Sequence, residues 1–348
     1  MKRTRRSILT ASAAGLGAAT AGCLGGFSGE GSTSDGAQTS FHLLYDFAQS
    51  VAGEDVPVES IVPFGQHGHG WEPSGQVQRD VYTAALFVYM GEGFQPWADD
   101  VVRNMRDDDA DVVVTDAWDG VDFLDVDGHG AGEHEHDEEH DAGEHGTEAH
   151  EGSDHADHEG GDDGHDHDPG NRDPHFWLDP LRARTAVENV RDGLIEAYPD
   201  GESGFRDRAD AYLAELEALD DRFAETLDDR SRDAVLVAGH NSFQYLGARY
   251  GFEIHALRGL SPDERPSART VSRAQVFVAE HDVEYVLAPA LESSRAAEQL
   301  VAETDASEVL EITAIAGLTE EWEERDWGYV DLMERVNLPA LERALGAE

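Results

Sequence analysis

The sequence predicts an α/β protein of two parallel-sheet lobes joined by a long rigid helix. Two observations carry this. Short apolar runs alternate with helix-period stretches through both halves of the chain, the rhythm of strand–helix–strand units. Between the halves lies FRDRADAYLAELEALDDRFAETLDD, where Phe205, Ala209, Tyr212, Leu213, Leu216, Leu219, Phe223 and Leu227 recur near a 3.6-residue period with charge elsewhere. A helix of about 25 residues spans roughly 38 Å, enough for a strut between lobes that resists hinge bending.

Taken in order, the chain opens MKRTRRSILTASAAGLGAATAGCLGG, a basic start with Arg5-Arg6 followed by a short run of small apolar residues. The run is too short and too rich in Gly and Ala to span a bilayer stably, so it reads as a targeting segment; the paired arginines suggest twin-arginine export. Cys23, the only cysteine, follows it where a lipoprotein signal places its lipidated residue. Residues 1–23 are therefore expected to be a signal and 24–39, rich in Gly and Ser, a flexible tether from the outer face of the cytoplasmic membrane. A single cysteine excludes an intramolecular disulfide and any multi-thiolate metal site.

An N-terminal lobe is expected over 40–203, with strands at Phe41 to Tyr45, Glu59 to Phe64, Ala84 to Met90 and Asp111 to Thr115, and helices at Gln76 to Thr83 and Gln95 to Met105. Within it, 127–168 holds ten His and seventeen Asp or Glu, no Lys or Arg, and almost nothing to bury, so it cannot form a core. Helical patterns follow at Pro180 to Tyr198 and at the linker, 204–230. A C-terminal lobe over 231–348 repeats the rhythm: strands Ala234 to Ala238, Phe252 to Leu257, Glu284 to Ala288 and Glu308 to Ile312, with helices Ser242 to Tyr250, Ala268 to His281, Ser294 to Thr304 and Gly328 to Leu345 between and after them.

The formal net charge is −49, and Lys2 is the only lysine among 25 basic residues. This acid-rich, lysine-poor balance resembles that of proteins from salt-loving archaea. It argues against nucleic acid as a partner, because phosphates would be repelled, and suits a cationic ligand.

Three histidines sit where predicted strands end: His69 in IVPFGQHGHGWEPS, His175 in DPHFWLDP and His240 in AVLVAGHNSFQYL. Ligands of open α/β sheets bind beyond the carboxyl ends of the strands, so the three are expected to converge between the lobes. Three imidazoles and a fourth group complete a tetrahedral zinc site.

Those segments, with MGEGFQPWADDVV and ALRGLSPDERPSA, resemble the bacterial solute-binding protein 9 family, and within it the zinc-uptake solute-binding proteins of ABC transporters. The similarity covers about Phe41 to Leu345; the stretch VLEITAIAGL with YVDLMERVNLPALERAL matches more loosely. The resemblance implies two lobes joined by a long helix, Zn(II) as the transported ligand held in the inter-lobe cleft by His69, His175 and His240, and a permease partner; membrane attachment through Cys23 is expected from the signal-like residues before it. It also implies that the histidine-rich insertion is an accessory beside the site. Many members bring a carboxylate from the stretch corresponding to Leu310–Gly317, where this chain offers Thr313 instead, so the fourth position is open to water, His67 or Glu311. Other cargoes are manganese, iron or copper. A zinc-dependent hydrolase is the competing reading from another class; no HExxH motif supports it. His42, His255 and His281 read as structural, and Glu292 resembles a family position without an assigned metal role.

Overall fold

The computed structural model describes residues 36–63, 71, 73–125, 172–260 and 267–347. His67, His69, Cys23, the histidine-rich insertion and the predicted signal all lie outside the described residues.

Two four-stranded parallel sheets form the frame, and they have the same topology. The first contains β1 (Ala37–Thr39), β2 (Val58–Ser60), β3 (Leu86–Tyr89) and β4 (Val113–Asp116) in the order β2-β1-β3-β4. In the second, β5 (Ala234–Val237), β6 (Glu253–Ala256), β7 (Tyr285–Pro289) and β8 (Glu308–Ile312) run β6-β5-β7-β8. In each, the first strand is flanked by the next two, so a topological switch point falls at the carboxyl ends of β1 and β3, and of β5 and β7.

Both faces of each sheet are covered, as parallel sheets require. Ala234, Leu236 and Ala238 face one way, into a cluster with Phe277, Val278 and Leu300; Val235 and Val237 face the other. That other face belongs to a core shared by both lobes, which also takes in Phe41, Phe47, Trp177, Phe205 and Phe223. The long helices α4 (Pro180–Ala197) and α5 (Glu202–Leu227) pack on each other and on α1 (His42–Ala52). Helix α5 also meets α6 (Gln244–Tyr250), α10 (Tyr329–Leu332) and α11 (Leu338–Leu345), so it touches elements of both halves.

Three expectations are corrected. The strand predicted at Phe41 to Tyr45 is the start of α1, and the true strand is Ala37–Thr39. Those three residues fall in the segment expected to be tether, yet they are buried, and they form an inner strand because they pair with both β2 and β3; Gln38 also hydrogen-bonds the Glu59 side chain at 2.7 Å. The single helix predicted from Gly328 to Leu345 is α10 and α11 separated by a π-helical turn over Met333–Asn337, just before Pro339. That wider turn avoids the clash a proline ring makes with the preceding turn of an α-helix.

The lobes are tied by buried polar contacts as well as by the core. Tyr245 in the C-terminal lobe donates to the carbonyl of Asp173 at 2.7 Å and accepts from the backbone N–H of Leu124 at 2.9 Å. The Trp177 indole donates to the Ala314 carbonyl at 2.8 Å, and the Trp177 carbonyl accepts from the Tyr329 hydroxyl at 2.6 Å. Asp46 accepts from both the Tyr212 hydroxyl and the Tyr329 backbone N–H, each at 3.0 Å.

Replacing Tyr329 with Phe removes only the hydroxyl that satisfies the buried Trp177 carbonyl. We expect a loss of about 1–3 kcal/mol in unfolding free energy, read as a lower denaturant midpoint at an unchanged slope. An unchanged midpoint would show that this tie contributes nothing.

Candidate metal centre

His175 is set by the residues around it. Asp173 receives the backbone N–H of His175 at 3.0 Å, and its same oxygen, Oδ1, contacts His175 Nδ1 at 2.7 Å. A single 3-10 turn, Phe176–Leu178, follows, and Asp179 caps α4 by accepting from the N–H of Leu181 at 2.9 Å with Pro180 at the first helical position. The histidine thus lies between two carboxylates that each fix the local backbone.

His240 follows β5 after Gly239. A Cβ at Gly239 would come within 2.4 Å of the Pro289 ring at the end of β7, so glycine allows this close approach at the switch point. Loop residues are pinned alongside: Asn241 N–H donates to the Gly259 carbonyl at 2.9 Å and Arg258 N–H to the Gly239 carbonyl at 3.2 Å. From the turn after β7, Glu292 Oε1 contacts His240 Nδ1.

The two rings therefore share one arrangement. In each, Nδ1 faces a buried carboxylate, which accepts only, so Nδ1 carries the proton and Nε2 the lone pair. The two Nε2 atoms face each other at 3.4 Å, and the side chains are 1% and 2% exposed. Two lone pairs cannot hydrogen-bond each other, and both converge on one point between the rings. Two nitrogens each about 2.0–2.1 Å from a tetrahedral zinc lie about 3.3–3.4 Å apart, which is the separation seen.

Among the described residues, no group of three or more His, Cys, Asp or Glu side chains is arranged to hold a metal ion. Of the residues singled out in the sequence, the structure brings His175 and His240 together; His69 and His67 lie outside the described residues. Glu311 does not join the pair. It lines a separate cleft with Glu321, Trp322, Trp327 and Arg335, where burial and the charge of Glu321 raise its pKa. After β8, the Thr313 hydroxyl accepts from the Ile315 N–H at 3.0 Å, and Ile315, fully buried, adopts a left-handed φ of 57°. Trp177 packs its ring against His175 at 5.3 Å between centroids; Trp71 meets Trp97 edge-on in a cluster on the N-terminal sheet.

Sequence reasoning missed what Glu292 and Asp173 do. The Asp173-Pro-His175 spacing held a signal, since a carboxylate two residues before a ligand can reach its Nδ1. No local signal links Glu292 to His240, which is 52 residues away. Other titratable groups at the strand ends are shifted by burial: His42, at the start of α1, falls from 6.5 to about 4, and Asp116, at the end of β4, rises to about 6.

The family described as ZnuA, zinc-uptake complex component A, periplasmic, matches residues 38–344. The zinc-binding lipoprotein AdcA of Streptococcus pneumoniae serotype 4 is 32% identical over 310 residues, covering 89% of this chain and 56% of that protein. The high-affinity zinc uptake system protein ZnuA of Bacillus subtilis is 29% identical over 308 residues, covering 88% of this chain and 86% of its own. The chain spans about half the length of the curated relatives it matches first. Among solved structures, the Zn(II)-bound ZnuA-like domain of Streptococcus pneumoniae AdcA superposes with a TM-score of 0.68 at 27% identity, covering 89% of this chain and 98% of that one.

The burial of His42 predicts an acid sensitivity. Its folded pKa lies below the unfolded one, so its contribution is intact above pH 6.5 and is lost as pH falls from there towards 4. With a chelator present, stability should fall by up to about 1.4 kcal/mol per pH unit through this window from His42 alone. The His42→Asn variant should show a correspondingly shallower slope in denaturant titrations; an identical slope would remove His42 from the account.

Proposed function

The chain belongs to the zinc-uptake complex component A family, and on that premise we propose that it captures Zn(II) outside the cytoplasm and hands it to an ABC transporter permease. The observation that carries this reading is the His175–His240 pair, with two carboxylate-oriented imidazoles aiming their Nε2 atoms at one point 3.4 Å across. His69 supplies the third nitrogen and water the fourth ligand, with His67 the alternative. Zinc is cargo here, so the site must hold the ion and also surrender it.

Several facts support the choice of ion and of role. The donors are neutral imidazoles, which suit zinc better than manganese, a harder ion that prefers oxygen. Relatives named for zinc binding and zinc uptake match most of the chain. A zinc hydrolase needs an acid or base positioned on the reacting side of the metal. Asp173 and Glu292 both lie on the far, Nδ1 side of their rings, where they orient ligands and do not reach a bound water. Attachment at Cys23 would keep the protein beside its permease. The insertion over 127–168 would collect several ions weakly, since each capture must order a polar chain, while the preorganised site binds one tightly.

A zinc titration in high salt against a competing chelator tests this, using the parent, a deletion of 127–168, and His69→Ala/His175→Ala/His240→Ala. The deletion should keep one tight site and the triple substitution should abolish it. Tight binding that disappears with the insertion and survives the triple change would make the insertion the receptor.

A further inference from the structure

The carboxylates behind the two histidines are not equivalent. Asp173 uses Oδ1 for both of its contacts with His175, and its buried Oδ2 has no hydrogen-bond partner. Glu292 contacts His240 through Oε1, and its Oε2, which likewise makes no hydrogen bond among the described residues, lies against the Arg258 guanidinium as an ion pair. Side-chain exposure is 13% for Arg258 and 5% for Glu292, so the pair is largely shielded from water.

The geometry points to Arg258 as a positioning residue for metal binding, acting through Glu292 to aim His240; this rests on the function proposed above. Three features support it. Glu292 sits in a turn after β7, with its N–H on the Pro289 carbonyl at 3.0 Å. Arg258 fixes the orientation of the carboxylate by pairing with one oxygen, which turns the other to the imidazole. A guanidinium is a permanent cation with no acceptor, so its ion pair with Glu292 leaves the carboxylate as the acceptor for Nδ1–H. Finally, Arg258 and Gly259 are hydrogen-bonded through their backbone to Gly239 and Asn241, the neighbours of His240, so the cation and the ring it aims share one rigid frame.

Arg258 therefore closes a chain from Arg258 through Glu292 and His240 to the ion. Outer-shell partners of this kind typically change metal affinity about 10–100-fold when replaced. Because Arg258 acts only through its ion pair with Glu292, its effect must vanish once position 292 carries no charge.

The test is a double-mutant cycle in zinc affinity on the full chain, with the parent, R258Q, E292Q and R258Q/E292Q, together with the ring nitrogen NMR signature of His240 in the metal-free proteins. R258Q should weaken binding about tenfold or more and shift the His240 ring signals away from the Nδ1–H form, while the double variant should bind within about twofold of E292Q. A role confined to general folding would lower the thermal midpoint without altering the ring signature of the folded fraction. If R258Q does not fold, the comparison of R258Q/E292Q with E292Q decides, since it leaves neither group of the pair charged. A further loss there of more than about fivefold, or an R258Q affinity and ring signature matching the parent, overturns the inference. H240A run alongside separates the two levels. If H240A binds zinc like the parent, the metal site itself is wrong; if H240A loses tight binding while R258Q does not, only the role of Arg258 falls.

Discussion

Two imidazoles, each held by a carboxylate at Nδ1, aim their Nε2 lone pairs at one point, and much of the structure serves to keep them there. Free side chains would turn apart, because facing lone pairs repel and each ring would sooner hydrogen-bond water. Burial removes the water, and the carboxylates remove the rotation. What remains is a pair of converging nitrogens at the spacing a tetrahedral ion imposes, the arrangement the proposed function needs. Little reorganisation is then left for the moment of binding, which is the condition for tight capture by few ligands.

The scaffold explains how residues 65 apart in sequence are held to this tolerance. His240 and Glu292 leave the sheet from β5 and β7, on either side of the switch point, where adjacent strands send their chains in opposite directions and open a crevice. His175 precedes the linker helix in sequence, yet its segment is fastened to the C-terminal lobe on three sides, by Tyr245 to Asp173, by Trp177 to Ala314 and by Tyr329 to Trp177. The inter-lobe contacts and His175 thus share one short segment. Parting the lobes there would break buried hydrogen bonds before it separated the two rings. Ile315 belongs to the same fastening. A β-branched residue at positive φ is strained and persists only where its surroundings fix it, and here its N–H is taken by Thr313 while Trp177 takes the carbonyl beside it.

Legibility in the sequence followed the length scale of each signal. The strands of the C-terminal lobe were read almost to the residue, because AVLV and YVLAP are continuous apolar runs bounded by turn residues and are buried on both faces. Helix α5 was plain because its period persists over 26 residues. Strand β1 was not: AQT carries one apolar residue in three, follows a Gly- and Ser-rich stretch, and is a strand because two neighbours pair with it. The apolar run beginning at Phe41 was misassigned for the complementary reason, since four residues cannot separate a buried strand from the first turn of a buried helix. At the site, His240 was legible from its position after a strand, and His175 from the resemblance. Their orienting groups were not, because the meeting of Arg258, Glu292 and His240 exists only after the second sheet has formed.

Charge and geometry divide the work of recognition between two distances. A net charge of −49 gives the surface an attraction for any cation, but at 1 M salt that field decays within a few ångströms, since the screening length is then only about 3 Å. Such a field cannot tell zinc from magnesium, which carries the same charge. Under the proposed function the discrimination comes from contacts shorter than the screening length, and the His175–His240 pair is buried as that requires. Nitrogen lone pairs at 3.4 Å offer little to sodium or magnesium, which prefer oxygen, and fit an ion that accepts tetrahedral nitrogen. Under the proposed function, the acidic exterior accounts for solubility in salt, while selectivity resides in two rings and the carboxylates that aim them.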